Sequence, residues 1–272
     1  KPLNYIGNIL GHEGSGSLLS VLKARGWADS LSAGQSFDYQ GGALFGVDVA
    51  LTVSGQKHVD EIVGLVYQSI AELRLKGVEA WRFEEQAGLA MQEFMFRAQP
   101  AAINEVVQLS MGLQRYPAQE LLRGPYLMDE YRPELLAEFL AEMTPENSFI
   151  SLVAPGVNAD IEIPRYQVNY GVREVTAEQL TALIPVSTKG LDLPAKNNFI
   201  ASDFALKKGD GSASPKLLAD APLELWLNTD DIFELPKGRV YLLLESEEVV
   251  ADADRRAKSD LWLRMVKDQL NE

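Results

Sequence analysis

Two short stretches hold the residue types from which hydrolytic or metal chemistry is built. One is His12-Glu13, inside the glycine-rich run GHEGSGS; the other is His58-Val-Asp-Glu61. The chain has 2 histidines and 0 cysteines, so a metal centre here must draw on these imidazoles and on carboxylates. An H-x-x-E-H helix sets two imidazoles one turn apart with a glutamate beside them. His58 and Glu61 supply its first four places, but Ile62 stands where the second histidine belongs. One imidazole and one carboxylate fall short of the three protein ligands zinc takes. His12 and Glu13 are chain neighbours, so their side chains diverge unless the backbone bends sharply between them. The residues predict no metal site in this segment, and His58 is expected on a helix surface near its N-terminus.

Other chemistries fare no better. The GSGS of Gly14 to Ser17 lacks the frame of a G-x-S-x-G elbow and the strand that must precede it. A phosphate-binding loop needs a lysine that GHEGSGS lacks, and Leu19 stands where a dinucleotide fingerprint has its third glycine. These glycines are read instead as a tight turn into a helix at Ser17. Met91, Phe94, Met95 and Phe96 have the spacing of a helical packing surface. Glu245 to Glu248 read as a solvated face. Without cysteine there is no disulfide or thiol chemistry, and the compartment stays open. The net charge is −14, which leaves no basic footprint for nucleic acid. No run approaches the ~18 apolar residues of a membrane span. No leader-type apolar region follows Lys1 to Asn4, and a chain opening on lysine is expected to be a piece of a longer one.

The elements around these residues follow from periodicity. Leu18, Leu19 and Leu22 share a face of a short helix over 17–25, stopped by Gly26. Val59, Ile62, Val63, Val66, Ile70 and Leu73 mark an amphipathic helix over 57–76, ended by Gly77. EAWRFEEQAGLAMQEFMFRA and AAINEVVQLSMGLQR read as two more helices, and Pro133 opens a fourth, PELLAEFLAEM. ALFGVDVAL alternates as a half-buried strand, preceded by the Gly/Ser-dotted stretch DSLSAGQSFDYQGG. SFISLVA and YQVNYGV also read as strands. The order predicts an α+β fold, with an antiparallel sheet and helices packed on one face.

After about residue 175 the texture changes. Thr176 and Gln179 form a candidate capping box. Residues 176–202, ending in PAKNNFIAS, read as a linker. LELWLN, FELPKG and RVYLLLES read as strands, and a helix from about Asp252 to Leu270 follows. Too few elements lie in 203–272 to bury a core, so this part reads as the opening of a second, truncated α+β unit.

The opening stretch GHEGSGSLLSVLKARGWADSLSAGQ closely resembles the second domain of the insulysin/pitrilysin (M16) zinc metalloendopeptidases. PAKNNFIASDF resembles that family's connector, and LELWLNTDDIFELPKGRVYLLLES with LRMVKDQLNE resembles the start of its third domain. The resemblance implies four homologous LuxS/MPP-like α+β domains enclosing a chamber. Zinc is carried by the first and the second is a catalytically inactive sibling. It implies that 1–175 is the inactive domain without its first strand, that 203–272 begins the third, and that zinc belongs to the parent protein rather than to this segment. The implied partners are peptide substrate and the remaining M16 domains, with neither nucleic acid nor membrane.

The resemblance also implies a substrate exosite at Gly7, Gly11, Glu13, Leu31 and Gln35. Asn4 and Asn8 stand where insulysin-type members have histidines, and Ala33 where they have glycine, so what carries over is the main-chain part of that contact. A second reading of Glu13 is that it favours the N-terminus of the following helix through the dipole. Two alternatives to the peptidase fragment stay open: a stand-alone, non-catalytic scaffold or peptide-binding protein of the same ancestry, and a subunit of a two-chain processing peptidase, against which the linker and third-domain start speak.

Overall fold

The computed structural model describes residues 2–39, 42–185, 187–206, 216–219, 224–229 and 235–269. In chain order the elements are α1 (Pro2–Leu10), α2 (Leu18–Ala24), β1 (Ala28–Tyr39), β2 (Gly42–Leu51), α3 (Val59–Lys76), α4 (Ala80–Met95), α5 (Ala102–Gly112) and α6 (Pro133–Glu142). Then follow β3 (Ile161–Ile163), β4 (Val168–Tyr170), α7 (Ala177–Leu183), β5 (Lys216–Ala219), β6 (Leu225–Leu227), α8 (Glu247–Val250) and α9 (Ala253–Gln269). The strands pair as three antiparallel hairpins, β1–β2, β3–β4 and β5–β6. Two compact units result, one of residues up to 90 with 123–196, the other of 91–122 with 197–270.

In the first unit, α1 opens on proline, whose missing N–H is harmless at the first helical position. Leu3, Tyr5, Ile6, Ile9 and Leu10 are all buried. Burying each such side chain contributes about 1.5–3 kcal/mol. Tyr5, Ile6, Ile9 and Leu10 pack with Tyr67, Ile70 and Leu73 of α3, Phe83 of α4, and Leu136 and Leu140 of α6. A second cluster joins Leu18, Leu19 and Leu22 of α2 to Ala28 and Leu31 of β1 and to Ile62 and Leu65 of α3. Ala33 touches both clusters. So α1, α2 and α3 pack on β1–β2, and mixed helices with small antiparallel sheets agree with the α+β class the sequence predicts. The α2 cap is Ser17, whose Oγ accepts the Ser20 N–H at 3.1 Å. Gly77, at φ +77°, stops α3. The Tyr5 hydroxyl accepts the Glu79 N–H at 3.1 Å, and burial pushes its pKa up to about 12 against the opposing field of Arg82.

Several sequence expectations change. DSLSAGQSFDYQGG, to which the sequence assigned no element, is most of β1 up to Tyr39, while Gln40 and Gly41 lie outside the described residues. Its small residues carry little strand preference of their own. The pairing with β2 and the packing of α1 and α2 supply it. SFISLVA forms no strand; Phe149 and Val153 are 89% and 94% exposed, with no ladder partner among the described residues. RVYLLLES is likewise unpaired there, and its Val240 to Leu244 are solvent-exposed. FELPKG is irregular from Leu235, and Phe233 and Glu234 lie outside the described residues, as do Leu223 of LELWLN and Leu270 of the last helix. The α7 capping box forms in both directions between Thr176 and Gln179.

Residues 187–196 are bonded into the first unit. Leu191 is buried, the Asp192 N–H donates to Gly16 O at 2.9 Å, and Arg82 Nη2 donates to Pro194 O at 2.7 Å. Lys76 bridges Glu72 at 2.8 Å and Asp192 at 3.3 Å. Burial raises the Glu72 carboxyl, but hydrogen bonds from Lys76 and Thr188 outweigh it and hold the group below its ordinary range. In the second unit no hydrophobic side chain is fully buried among the described residues. Phe96 and Phe204 meet there at 5.3 Å beside a cavity of about 490 Å³.

Two measurements check this packing. A Cβ on Gly7 would lie 2.9 Å from Ala33 O, whereas one on Gly64 of α3 meets nothing within 4 Å. Gly7→Ala is therefore expected to lose about 1–3 kcal/mol by overpacking. Gly64→Ala is expected to gain up to ~1 kcal/mol from helix propensity. Equal effects of the two in urea melts would contradict a close α1–β1 approach. A carboxyl with a lowered pKa stabilises above its unfolded value, and that stability fades as pH falls through the folded one. Glu72→Gln should lower Tm near neutral pH and match the parent well below ~4.3, the ordinary glutamate value. A constant Tm gap across that range would deny the lowered carboxyl.

Candidate functional site

Both histidines are engaged by the fold. His12 Nδ1 accepts the Gly14 N–H at 3.0 Å, which fixes the turn between α1 and α2. His58 is the residue before α3, as expected, and its Nδ1 lies 3.1 Å from Glu61 Oε1. Its ring stacks on Trp27 with centroids 4.4 Å apart and planes 14° apart, and the Arg25 guanidinium lies 4.9 Å from the Trp27 ring. The His58 hydrogen bond holds the Glu61 carboxyl below its usual range. No group of three or more His, Asp or Glu side chains converges among the described residues. With no third donor beside either imidazole among the described residues, this donor set falls short of the protein ligands zinc takes. No helix of the described residues is long and apolar enough to cross a membrane.

Four of the five candidate exosite residues, Gly7, Gly11, Leu31 and Gln35, lie around one crossing, where α1 passes over β1 at Ala33. Gly7 in α1 and Gly11, just past its last residue, are four residues apart and both turned to β1, with the Gly11 N–H donating to Gly7 O at 2.8 Å. A Cβ on Gly11 would lie 3.3 Å from Ala33 N, and one on Gly7 would strike Ala33 O and Gly34 Cα. The close approach these glycines allow is thus between helix and strand within the fold. Leu31 and Gln35 flank Ala33 at two residues on either side. The Leu31 side chain is buried in the core, and Gln35 is exposed. Glu13, in the α1–α2 loop, is exposed. The first turn of α2 begins at Leu18 and holds no acidic residue. Side-chain contact with a ligand is therefore open to Glu13 and Gln35, and main-chain contact to β1.

The β1–β2 register defines a second surface. Leu31, Ala33 and Gln35 pair with Val49, Val47 and Phe45, and the helices cover this face. The register shifts between Gln35 and Phe37, where Ser36 is the extra residue. A bulge of this kind reverses which face the following residues occupy. Phe37 pairs with Leu44 and Tyr39 with Gly42, on the face opposite the helices. The Tyr39 ring confirms this by lying over Gly42, where a Cβ would meet its hydroxyl oxygen at 3.0 Å. Sequence reading missed this strand because the bulge breaks its alternation. The aromatic pair Phe37 and Tyr39, two residues apart, was the available signal.

Residues 1–87 match the family described as the peptidase M16 inactive domain, and residues 94–272 match the middle or third domain of peptidase M16. Over all of this chain, the insulin-degrading enzyme of Drosophila melanogaster is 31% identical across 277 residues. The insulin-degrading enzyme of Homo sapiens is 31% identical across 278, and a nardilysin-like protein of Arabidopsis thaliana 29% across 287. The chain spans 27% to 28% of the length of these relatives. The crystal structure of pitrilysin superposes with a TM-score of 0.77 at 24% identity, covering 86% of this chain and 25% of that one. The chain belongs to the peptidase M16 family, and its opening 87 residues are of that family's inactive type.

Proposed function

We propose that this chain is the peptide-holding, non-catalytic part of an M16 zinc metalloendopeptidase, in which it lines a LuxS/MPP-like chamber. The observation that carries the reading is β1. It is a 12-residue strand with a strand partner on one side only among the described residues, braced from behind by α1 at Ala33. An extended peptide adding to such a strand gains main-chain hydrogen bonds without being read for sequence. Leu31 and Gln35 offer this main chain, Gly7 and Gly11 set the α1 brace, and the Glu13 carboxylate is placed to receive a peptide α-ammonium. Hydrolysis belongs to a zinc-bearing domain elsewhere in the protein, and anchoring a substrate's end raises the effective concentration of its scissile bond there.

Two experiments test this. Peptides N-methylated at the positions whose N–H groups face β1 should bind the chain about tenfold more weakly, by loss of one or two hydrogen bonds. Methylation at the alternate positions should be neutral, and indifference to both patterns would exclude a strand-type grip. In the longer protein, Glu13→Ala should raise KM for long peptides by roughly tenfold, the worth of one exposed charge-assisted hydrogen bond. It should leave short peptides unchanged, and unaltered kinetics on both would remove Glu13 from the site.

A further inference from the structure

The open face of the β1–β2 hairpin carries an apolar wall that the core does not account for. Phe37, Tyr39 and Leu44 are 59%, 59% and 61% exposed. The Phe37 and Tyr39 rings lie 6.0 Å apart. Without the extra residue at Ser36, Phe37 and Tyr39 would fall on the face of Leu31 and Ala33, toward the helices. The bulge therefore gathers large apolar side chains on the solvent face, and clustered exposed apolar surface of this kind marks interaction sites. Beside the wall the face is low. Ser32 and Gly34 form its floor, where a Cβ at Gly34 would meet nothing within 4 Å, while the Ser36 hydroxyl lies over the opposed Gly46. Asp48 stands directly opposite Ser32 and is exposed. Over 30–39 and 42–50 it is the one charged side chain that the register puts on this face. From Asp48 to Leu44 is four residues of strand, about 13 Å.

We infer that this face selects the substrate. A peptide lying along β1 sets a large apolar side chain against Phe37, Tyr39 and Leu44, and a lysine or arginine four residues away on Asp48. The inference rests on the reading that β1 holds peptide by its main chain, and adds which peptides are held best. Charge complementarity names the occupant: the face is anionic, and so is the chain as a whole at −14. Ser32, between the peptide and Asp48, is small enough for a long cationic stem to pass over it. In an extended peptide, residues four apart share a face and residues three apart do not.

The test uses short fluorescein-labelled Ser/Thr peptides carrying Lys and Phe four apart, in both orders, titrated against the 272-residue chain by fluorescence anisotropy. The better order should bind about fivefold more tightly than the same peptide with the two residues three apart or with Glu in place of Lys, the scale of one or two cross-strand pairs. Phe37→Ser and Asp48→Asn, both at exposed positions, should each abolish that preference while the thermal melt stays unchanged. If all peptides bind alike and neither substitution matters, main-chain holding stands and the selective face is overturned. If no peptide binds, the holding reading falls and takes this inference with it. If Phe37→Ser instead abolishes a concentration-dependent dimer in sedimentation, the wall is covered by a second copy of the chain, which also overturns the inference.

Discussion

The packing of α1 on β1 at Ala33 is the contact on which the rest of the first unit depends. Glycine at positions 7 and 11 lets the helix backbone come within van der Waals reach of the strand backbone, where a Cβ on Gly7 would strike Ala33 O and one on Gly11 would crowd Ala33 N. That approach lets Tyr5, Ile6, Ile9 and Leu10 reach α3 and α6 and lets Ala33 touch both apolar clusters. It also fixes which face of β1 is core, and thereby which face and which edge remain for other work. A strand this rich in Ser, Gly and Ala is held extended by its neighbours rather than by its own preference.

The polar groups that look reactive in the chain are absorbed by structure. His12 ties a turn, and His58 stacks on Trp27 and bonds Glu61 at the start of α3. Glu72 and Lys76 help to fasten residues 187–196 over Gly16. Each arrangement satisfies groups whose desolvation is otherwise costly. No group of three or more His, Asp or Glu side chains converges among the described residues. The second unit has a different character: its helices leave Ile103, Val106, Met111, Trp262 and Met265 exposed, and no side chain there is deeply buried among the described residues.

The candidate site was legible in part. Its residues came from the resemblance of GHEGSGS and the stretch after it to the M16 family, and the structure gathers Gly7, Gly11, Leu31 and Gln35 around one crossing. What each residue can do was not legible. Leu31 turned out to be core, Gly7 and Gly11 to be internal spacers, and Glu13 to lie outside the first turn of α2. Phe37 and Tyr39 were passed over because their stretch was assigned no element, and Leu44 and Asp48 because only the register with β1 shows which face they share.

By itself the sequence determined the long helices, their stops, the α7 capping box and the lack of an H-x-x-E-H set in this segment. Helical hydrogen bonds close within four residues, so the apolar period and the capping residues carry the information locally. Only the tertiary structure decided that Ala28 to Tyr39 is a strand, that SFISLVA and RVYLLLES are not, and that Phe37 and Tyr39 face away from the core. A strand's hydrogen bonds and its register belong to a partner elsewhere in the chain, and one unpaired residue such as Ser36 reverses every face that follows it.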